Sequence, residues 1–389
     1  MKFVHLSDLH IGKYVNGFSM LGDQKYILWE ILRILKEERP DAVLIAGDVY
    51  DKSVPSAEAV RLFDTFLWKL SGLSLKVFVI SGNHDSAERL SFGSRLMDRS
   101  GVYLSPVYNG TVEKIECRDA FGTVRFYLLP FLKPAAVRAV FPEQEIRDYT
   151  DALHTAIDAM QAEKNDASIR NVLLAHQFVT GAERAESEEL SAGGLDNVDA
   201  SVFEGFDYVA LGHLHRPQNV SAPEGSAVRY CGTPLRYSFS ECRDQKSLTV
   251  VEMREKGMTQ IRTIPLIPLR ELRELKGSYM ELTSRAYYAG TKTEDYLHIT
   301  LTDEFDVPDA IGKLRVIYPN LMKLDYDNTR TRTQSGLSDL SAEAVREQTP
   351  EELFAAFYET QNGQPMTDMQ RAYLSELFED LSGAEEDLR

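Results

Sequence analysis

Five short clusters of Asp, Asn and His follow hydrophobic, strand-like runs in the first 215 residues of the chain. The residues are Asp8 and His10; Asp48 and Asp51; Asn83, His84 and Asp85; His176; and His213 and His215. Carboxylate oxygens, an amide oxygen and imidazole nitrogens together suit manganese or iron better than magnesium, which prefers oxygen ligands. The set is large enough for two ions about 3.5–4 Å apart, the spacing of two-metal phosphatases and nucleases.

Each cluster taken alone has an ordinary structural interpretation. Asp8 and Asp48 could be helix N-caps, and a single histidine at a strand end, such as His176, is more often a hydrogen-bonded polar residue than a ligand. Five of the eight histidines of the chain, however, lie in these clusters. This concentration favours one functional site over five unrelated structural roles.

The strand-like runs alternate with amphipathic helical patterns, which predicts a layered α/β domain. The predicted strands are residues 3–6, 42–46, 76–80, 171–175, 208–211 and 247–251. Helices are predicted at residues 24–38 and 57–70. Because the carboxyl ends of strands form the ligand-binding edge of an open α/β sheet, the five clusters should converge there. Gly47, Gly82 and Gly212 precede three clusters, where the chain must leave the strand tightly.

The α/β pattern is interrupted near residues 264–268, which predicts a domain boundary there. The predicted segments are an α/β domain (1–264), a small α+β module (265–327), a linker rich in Thr, Ser, Gly and Arg (328–348) and a helix pair (349–389). Capping-box patterns begin the two helices at Thr349 and Thr367. Two short amphipathic helices would be marginal alone. Docking on a partner chain is therefore favoured, with folding back on the α/β domain as the alternative.

Composition narrows the class of protein further. The chain has 389 residues and three cysteines without a C-x-x-C pair, which argues against a disulfide framework or a zinc knuckle. The apolar runs are too short to span a bilayer, and a cytoplasmic protein is predicted. The formal net charge is −17. Residues 341–389 contribute 12 acidic and 3 basic side chains, a net of −9. Nonspecific attraction to phosphate is therefore not the predicted route to nucleic acid.

In their order along the chain, the five clusters resemble those of the calcineurin-like metallophosphoesterases. This resemblance implies a four-layer α/β fold, in which two mixed β-sheets pack together between helices. Within that superfamily the chain is similar to the nuclease subunits of SbcCD-type bacterial DNA-repair complexes, over residues 1–381. The runs that carry this similarity are H-L-S-D-L-H-I-G-K, G-D-V-Y-D-K-S-V-P, S-G-N-H-D-S-A-E-R-L, G-T-P-L-R-Y-S-F-S-E and P-E-E-L-F…F-Y-E-T-Q-N-G.

The resemblance implies a role for each residue of the clusters. One ion would be held by Asp8, His10, Asp48 and His215, and the other by Asp48, Asn83, His176 and His213. His84 would be catalytic and would face the scissile phosphate. Asp85 would assist His84 by orienting its ring, and a helix cap is an equal alternative role for Asp85. The same two roles are possible for Asp51. The two ions are expected to be Mn²⁺, with Mg²⁺ or Fe²⁺ as alternatives.

The resemblance also implies a function. The implied protein is a DNA nuclease that acts in DNA repair, recombination and replication. It would act both as a double-strand 3′–5′ exonuclease and as a single-strand endonuclease that opens hairpins. The implied partners are DNA hairpins and duplex ends, an SbcC-type coiled-coil ATPase bound by the helix pair, and a second copy of the chain in a heterotetramer. The α+β module would be a capping domain that guides DNA. The competing interpretations are a protein phosphatase, a small-molecule phosphodiesterase and a non-catalytic scaffold.

Overall fold

The computed structural model describes residues 1–161, 168–183, 197–221, 225–332, 349–362 and 364–386. They form two compact units, Met1–Leu272 and Arg273–Arg389. The helices are α1 (Leu21–Glu38), α2 (Ala57–Ser71), α3 (Ala87–Leu90), α4 (Ser94–Met97), α5 (Pro134–Val140), α6 (Tyr149–Gln161), α7 (Tyr279–Leu282), α8 (Arg285–Tyr288), α9 (Ala310–Arg315), α10 (Pro350–Asn362) and α11 (Asp368–Glu386).

The strands of the first unit build two six-stranded sheets and two short two-stranded ones. They are β1 (Lys2–Leu6), β2 (Tyr14–Val15), β3 (Phe18–Ser19), β4 (Ala42–Ala46), β5 (Lys76–Ile80), β6 (Val102–Leu104), β7 (Glu113–Asp119), β8 (Gly122–Leu128), β9 (Arg170–His176), β10 (Phe178–Val179), β11 (Asn197–Val198), β12 (Tyr208–Gly212), β13 (Gln218–Val220), β14 (Ala227–Tyr230), β15 (Ser247–Met253) and β16 (Thr259–Pro265).

Both large sheets are mixed. The first has the strand order β16-β15-β1-β4-β5-β6, in which β1, β4, β5 and β6 are parallel and β15 is antiparallel to its neighbours. The second has the order β13-β14-β12-β9-β8-β7, with a parallel centre from β14 to β8 and an antiparallel strand at each edge. Parallel central strands bring the loops after them to one edge of each sheet.

The two sheets pack face to face around an apolar core. Phe3, Leu44 and Phe78 of the first sheet belong to the same buried cluster as Phe126 and Leu174 of the second. The rings of Phe78 and Phe126 stack with their centroids 4.5 Å apart. On the outer face of the second sheet, buried side chains of α5 and α6 pack against the strands.

Amphipathic helices cover the outer face of the first sheet as well. Ser56 caps the N-terminus of α2, where its side chain accepts a hydrogen bond from the amide of Ala59. The buried face of α2 includes Phe63 and Phe66, and that of α1 includes Ile27, Ile31 and Leu35. The first unit therefore has the layers helix, sheet, sheet and helix, and the predicted four-layer fold is confirmed. In the second sheet, β7 and β8 form a hairpin in which Asp119 pairs with Gly122.

The second unit has its own small core. Its strands β17 (Leu272–Gly277), β18 (Tyr296–Leu301) and β19 (Leu321–Tyr326) form one sheet in that order. Leu297, Ile299 and Leu314 are among the buried residues that fill the space between this sheet and its helices. Within this module the sequence pattern predicts strands at 296–301 and 321–326 and a helix at 307–317, and both strands have these bounds. The helix predicted at 307–317 is shorter, Ala310–Arg315.

The two C-terminal helices begin with the predicted capping boxes. The amide of Glu352 donates to the Thr349 hydroxyl, and the amide of Thr349 donates to the Glu352 carboxylate. Thr367 and Gln370 make the equivalent pair. Of the predicted linker 328–348, residues 333–348 lie outside the described residues. No helix in the described ranges is long and apolar enough to cross a bilayer.

Candidate metal centre

The five clusters lie at the predicted ends of the strands. Asp8 and His10 follow β1, Asp48 follows β4, and Asn83 follows β5, three adjacent parallel strands of the first sheet. In the second sheet, His176 is the last residue of β9, and its register partner Gly212 ends β12 just before His213. The packed sheets thus present their ligand-bearing edges to each other.

The side-chain donor atoms of these residues converge. Asn83 Oδ1 lies 3.0 Å from His176 Nε2 and 3.0 Å from His213 Nδ1. On the other side, His10 Nε2 lies 3.2 Å from His215 Nε2. Donor atoms within 4.8 Å of one another form three groups: Asp8, His10 and His215; Asp8, Asp48 and His176; and His10, Asp48 and His84.

Asp48 lies between the two sides of this cluster. Its Oδ2 is 3.4 Å from His176 Nε2 and 3.6 Å from His10 Nε2. A carboxylate with two usable oxygens in this position can bind two ions at once. The surrounding oxygen and nitrogen donors are those that borderline divalent ions prefer, so the residues fit a two-metal centre.

Burial gives the cluster unusual electrostatics. Burial raises the pKa of Asp8 to about 7, with a further contribution from the charge of Asp48. Burial also acts to raise the pKa of Asp48, but His176 and His10 hold it below its ordinary value. The pKa of His176 is raised to about 9, because Asp48 outweighs the opposing effect of burial. The positive charge that the buried Asp48 obtains from His176 is one that a bound divalent cation can supply instead.

The backbone at the candidate ligands is strained. Asp8, His10 and Asp48 have φ values of 52°, 43° and 49°, in the left-handed region that non-glycine residues rarely adopt. His213 has φ 108°, farther still from the usual regions. Strain of this kind costs on the order of 1–3 kcal/mol per residue and is concentrated at functional sites. The positions of the side chains are therefore maintained at the expense of local stability.

Three glycines provide the space for this packing. A Cβ atom on Gly47 would lie 2.3 Å from His176 Nδ1, and one on Gly82 would lie 2.1 Å from Asp48 Oδ1. Gly47 has φ +89°, as the predicted tight turn requires. At Gly82 and Gly212 the requirement is space for neighbouring atoms rather than a left-handed backbone conformation. Their φ values are ordinary, and they are needed because neighbouring atoms approach too closely for any side chain.

His84 lies at the mouth of the cluster. Its Nδ1 is 3.0 Å from the carbonyl oxygen of Asp51, and its Nε2 is 3.9 Å from Asp48 Oδ2. A ring held in this way donates through Nδ1 and leaves Nε2 directed toward the centre. His84 is only partly buried, whereas His10, His176 and His215 are buried.

Asp85 makes different contacts from those predicted. Its carboxylate accepts hydrogen bonds from the amides of Gly82, Val49 and Tyr50, rather than from the His84 ring. It is not the cap of the following helix either, because Ser86 caps α3. Asp85 thus ties the loop after β5 to the loop after β4. The ring of His84 is instead oriented by the Asp51 carbonyl, which lies 3.0 Å from Nδ1.

Sequence reasoning missed the residues that hold the Leu9–His10 loop. Gln24 Nε2 donates to the His10 carbonyl at 2.7 Å, and the Tyr237 hydroxyl donates to the Leu9 carbonyl at 2.7 Å. The two side chains also bond each other at 3.0 Å. In the sequence Gln24 is only the first residue of an amphipathic helical pattern, and nothing there indicates such a contact. Tyr237 lies in the G-T-P-L-R-Y-S-F-S-E run, so for this residue the sequence did contain a signal.

A second missed residue is Glu241, which is fully buried behind His215. Glu241 Oε1 lies 3.5 Å from His215 Nδ1, and Glu241 Oε2 is 2.6 Å from Lys246 Nζ. Lys246 Nζ also donates to the His215 carbonyl at 2.8 Å. Burial acts to raise the pKa of Glu241, but His215 and Lys246 hold it at about 2. Glu241 ends the G-T-P-L-R-Y-S-F-S-E run, which was the available signal.

This geometry predicts that Glu241→Gln weakens metal binding about tenfold, because a carboxylate beside a ligand histidine fixes the ring and raises its basicity. Isothermal titration of metal-free protein with Mn²⁺ measures the affinity. The control is Glu255→Gln, the same substitution at an exposed position, and the Mn²⁺ affinity of this variant should equal that of the parent. Equal affinities in all three proteins would mean that Glu241 only packs.

Comparison with known proteins follows the same division of the chain. Residues 1–217 match the family model described as calcineurin-like phosphoesterase, and residues 268–362 match the model described as type 5 capsule protein repressor C-terminal domain. The SbcD subunit of the nuclease SbcCD from Staphylococcus epidermidis is 32% identical over 375 residues, which cover 95% of this chain and 96% of the relative. The corresponding SbcD subunit from Staphylococcus saprophyticus is 33% identical over 369 residues, 94% of this chain and 95% of the relative.

The chain belongs to the calcineurin-like phosphoesterases, since that model matches more than half of it and the centre contains the ligand types of a metal-dependent hydrolase. The relatives match over nearly the whole length. Within the class, the chain is a member of the SbcD family of nuclease subunits.

Proposed function

We propose that the chain is the Mn²⁺-dependent nuclease subunit of an SbcCD-type complex in the cytoplasm. It degrades duplex ends as a 3′–5′ exonuclease and opens DNA hairpins as a single-strand endonuclease, in DNA repair, recombination and replication. The observation that carries this proposal is the position of Asp48 between two sets of buried donors, in a chain that matches nuclease subunits end to end.

In this proposal each residue of the centre has a defined role. Asp8, His10, Asp48 and His215 hold one ion, and Asp48, Asn83, His176 and His213 hold the other. Two divalent ions, when bound, supply a nucleophilic water at neutral pH and neutralise charge on the phosphate. His84 Nε2 faces the phosphate and gives a proton to the leaving oxygen, while Asp85 fixes the two loops that position it.

Replacing His84 by alanine tests the proposed role and the proposed function together. Removal of a general acid should lower cleavage about 100-fold, while Mn²⁺ affinity is unchanged. Parent and variant are incubated with end-labelled hairpin and linear duplex DNA, with Mn²⁺ or EDTA, and with or without the candidate ATPase.

Each outcome of that assay has a distinct meaning. Manganese-dependent cleavage that is lost in the variant supports both the nuclease and the role of His84. Full cleavage by a variant that binds metal normally would remove His84 from the mechanism. Turnover of a small phosphomonoester without DNA cleavage under any condition would overturn the nuclease proposal in favour of a phosphatase.

The helix pair α10–α11 is proposed to bind an SbcC-type coiled-coil ATPase. Its apolar groove, about 460 Å³ in volume, is lined by Phe354, Met366 and Leu374 among others. Tyr373 and Met369, which also line the groove, are 67% and 84% exposed. A groove with almost no polar lining fits an amphipathic helix of a partner.

Tyr373→Glu should therefore abolish co-purification with the ATPase, because a carboxylate would enter the apolar contact without a partner. Arg371→Gln, which changes an exposed residue of the same helix, is the control and should leave binding intact. Retained binding by the Tyr373 variant, together with retained binding after deletion of residues 341–389, would move the contact elsewhere.

Two further parts of the proposal concern assembly and substrate. Phe92 and Leu96, in the α3–α4 segment, are 84% and 76% exposed, and we propose that they pack against a second copy of the chain in a heterotetramer. The proposed division is a nuclease domain at 1–264, a capping domain at 265–327 that guides DNA, a linker at 328–348 and the partner-binding pair at 349–389.

A further inference from the structure

A groove between α1 and α2 contains both tryptophans of the chain. Trp29 and Leu32 of α1 and Trp68 and Lys69 of α2 line it, and its volume is about 550 Å³. The Trp68 side chain is 70% exposed. Lys69 Nζ lies 5.6 Å from the centroid of the Trp29 ring and 5.5 Å from that of the Trp68 ring, within cation–π range of both.

The charge of this groove is opposite to that of the chain. Arg33, Lys36 and Lys69 line it, and no carboxylate does so within the described residues. Arg33 is balanced by ion pairs with Glu30 and Glu37. Neither Lys36 nor Lys69 has a carboxylate partner in the part of the chain that the structure describes. In a protein with a net charge of −17, two unbalanced lysines beside two indole rings form a local anion site with aromatic faces.

We propose that this groove binds single-stranded DNA, an inference that rests on the proposed nuclease function. Exposed indole faces stack on nucleobases of any sequence, and lysines beside them pair with the phosphates that follow. Paired bases in a duplex cannot offer their faces in this way. An acidic peptide would satisfy the lysines but would leave the exposed Trp68 face without a stacking partner.

Helix α2 connects the groove to the loop that carries Asp48. Helix α2 begins after the loop that carries Asp48, and Trp68 lies 11 residues beyond its first residue, Ala57. At about 1.5 Å per residue the groove is on the order of 17 Å along the helix from that end. An unpaired strand that passes the start of α2 needs only a few more nucleotides to reach the groove.

Intrinsic fluorescence tests the proposal directly, because all tryptophan emission of the chain comes from this groove. The full chain in EDTA, which prevents cleavage, is titrated with oligothymidylate of about 12 nucleotides. We expect saturable quenching that weakens as salt rises, and weaker quenching by a blunt duplex of equal length.

The variants are chosen to leave the fold intact. The double variant Lys36→Gln and Lys69→Gln should lower the affinity about tenfold, and Lys25→Gln, an exposed lysine of α1 outside the groove, should not. Trp68→Ala, followed by the anisotropy of a labelled oligonucleotide, should also lose about tenfold through the loss of stacking.

Three results would overturn the proposal. The first is no quenching by oligothymidylate, and the second is an equal loss of oligonucleotide affinity in the Lys25 variant. The third is quenching by polyglutamate as strong as that by the oligonucleotide, which would make the groove a docking site for an acidic protein segment. Hairpin cleavage with Mn²⁺, measured on the same preparations, separates this proposal from the nuclease function. Cleavage without quenching refutes only the proposal that the groove binds DNA, and quenching without cleavage refutes only the proposed nuclease function.

Discussion

Asp48→Asn should lower metal-dependent phosphodiester cleavage by at least about 1000-fold, the largest functional effect expected in the chain. Asp48 is the acidic side chain whose Oδ2 approaches ring nitrogens on both sides of the centre, 3.4 Å from His176 and 3.6 Å from His10. An amide keeps the shape of the side chain and an acceptor for the His84 backbone amide, which donates to Asp48 Oδ1 at 2.9 Å. It removes the negative charge and the second anionic oxygen that two cations need.

Two measurements check this expectation on the same protein. Cleavage of a small phosphodiester in Mn²⁺ reports catalysis without the need for DNA binding, and calorimetric titration with Mn²⁺ reports how many ions bind. The stoichiometry should fall from two to one or none. Asp64→Asn, on the exposed face of α2, is the matched control and should behave as the parent. A variant at Asp48 that still binds two ions and turns over normally would show that Asp48 does not bridge them.

Gly212→Ala should produce the largest loss of stability, roughly 3 kcal/mol of the free energy of unfolding. A Cβ atom at this position would lie 1.9 Å from the carbonyl oxygen of Ala46 and 2.7 Å from His176 Nδ1. Ala46 ends β4 of the first sheet, and Gly212 ends β12 of the second. The added methyl group would therefore force the two sheets apart at the edge that carries the ligands, since neither neighbour is the end of a flexible side chain.

Urea unfolding in EDTA measures this loss without a contribution from metal binding. The same substitution at Gly22 is the control. Gly22 lies near the start of α1, where a Cβ would meet no atom within 4 Å, so alanine should leave stability unchanged or raise it by up to about 1 kcal/mol. If Gly212→Ala unfolded at the parent's urea concentration, the sheets would be free to separate here, and the close approach would not be a requirement of the fold.

Local patterns account for the elements of the fold that were predicted accurately. The strands Ala42–Ala46 and Lys76–Ile80 have the predicted bounds, because continuous apolar runs between turn residues are specific for buried parallel strands. Helix α1 begins three residues earlier than predicted, at Leu21. Its start has no side-chain cap to signal it, since the N-cap residue is Met20. The capping boxes at Thr349 and Thr367 are local hydrogen-bond patterns and were predicted for that reason.

Sequence order and residue type also located the candidate centre. Each cluster follows a strand, and parallel strands bring such loops together, so the convergence of Asp8, Asp48, His176 and His213 was predictable without knowledge of side-chain packing. By contrast, the contacts of Asp85 depend on how the loop after β5 approaches the loop after β4. No pattern within either loop predicts how closely the two loops approach each other. Asp85 therefore accepts hydrogen bonds from three backbone amides and does not make the predicted contact with His84.

The sequence by itself determined the alternation of strands and helices, the set of candidate metal-binding side chains and the family to which the chain belongs, because all three depend on residue types at short spacing. Only the tertiary structure decided that Glu241 supports His215, that Gln24 and Tyr237 hold the loop at His10, and that Gly212 lets two sheets meet. These contacts join residues from 14 to 228 positions apart. Their geometry follows from the packing of two sheets and their loops, which no local pattern encodes.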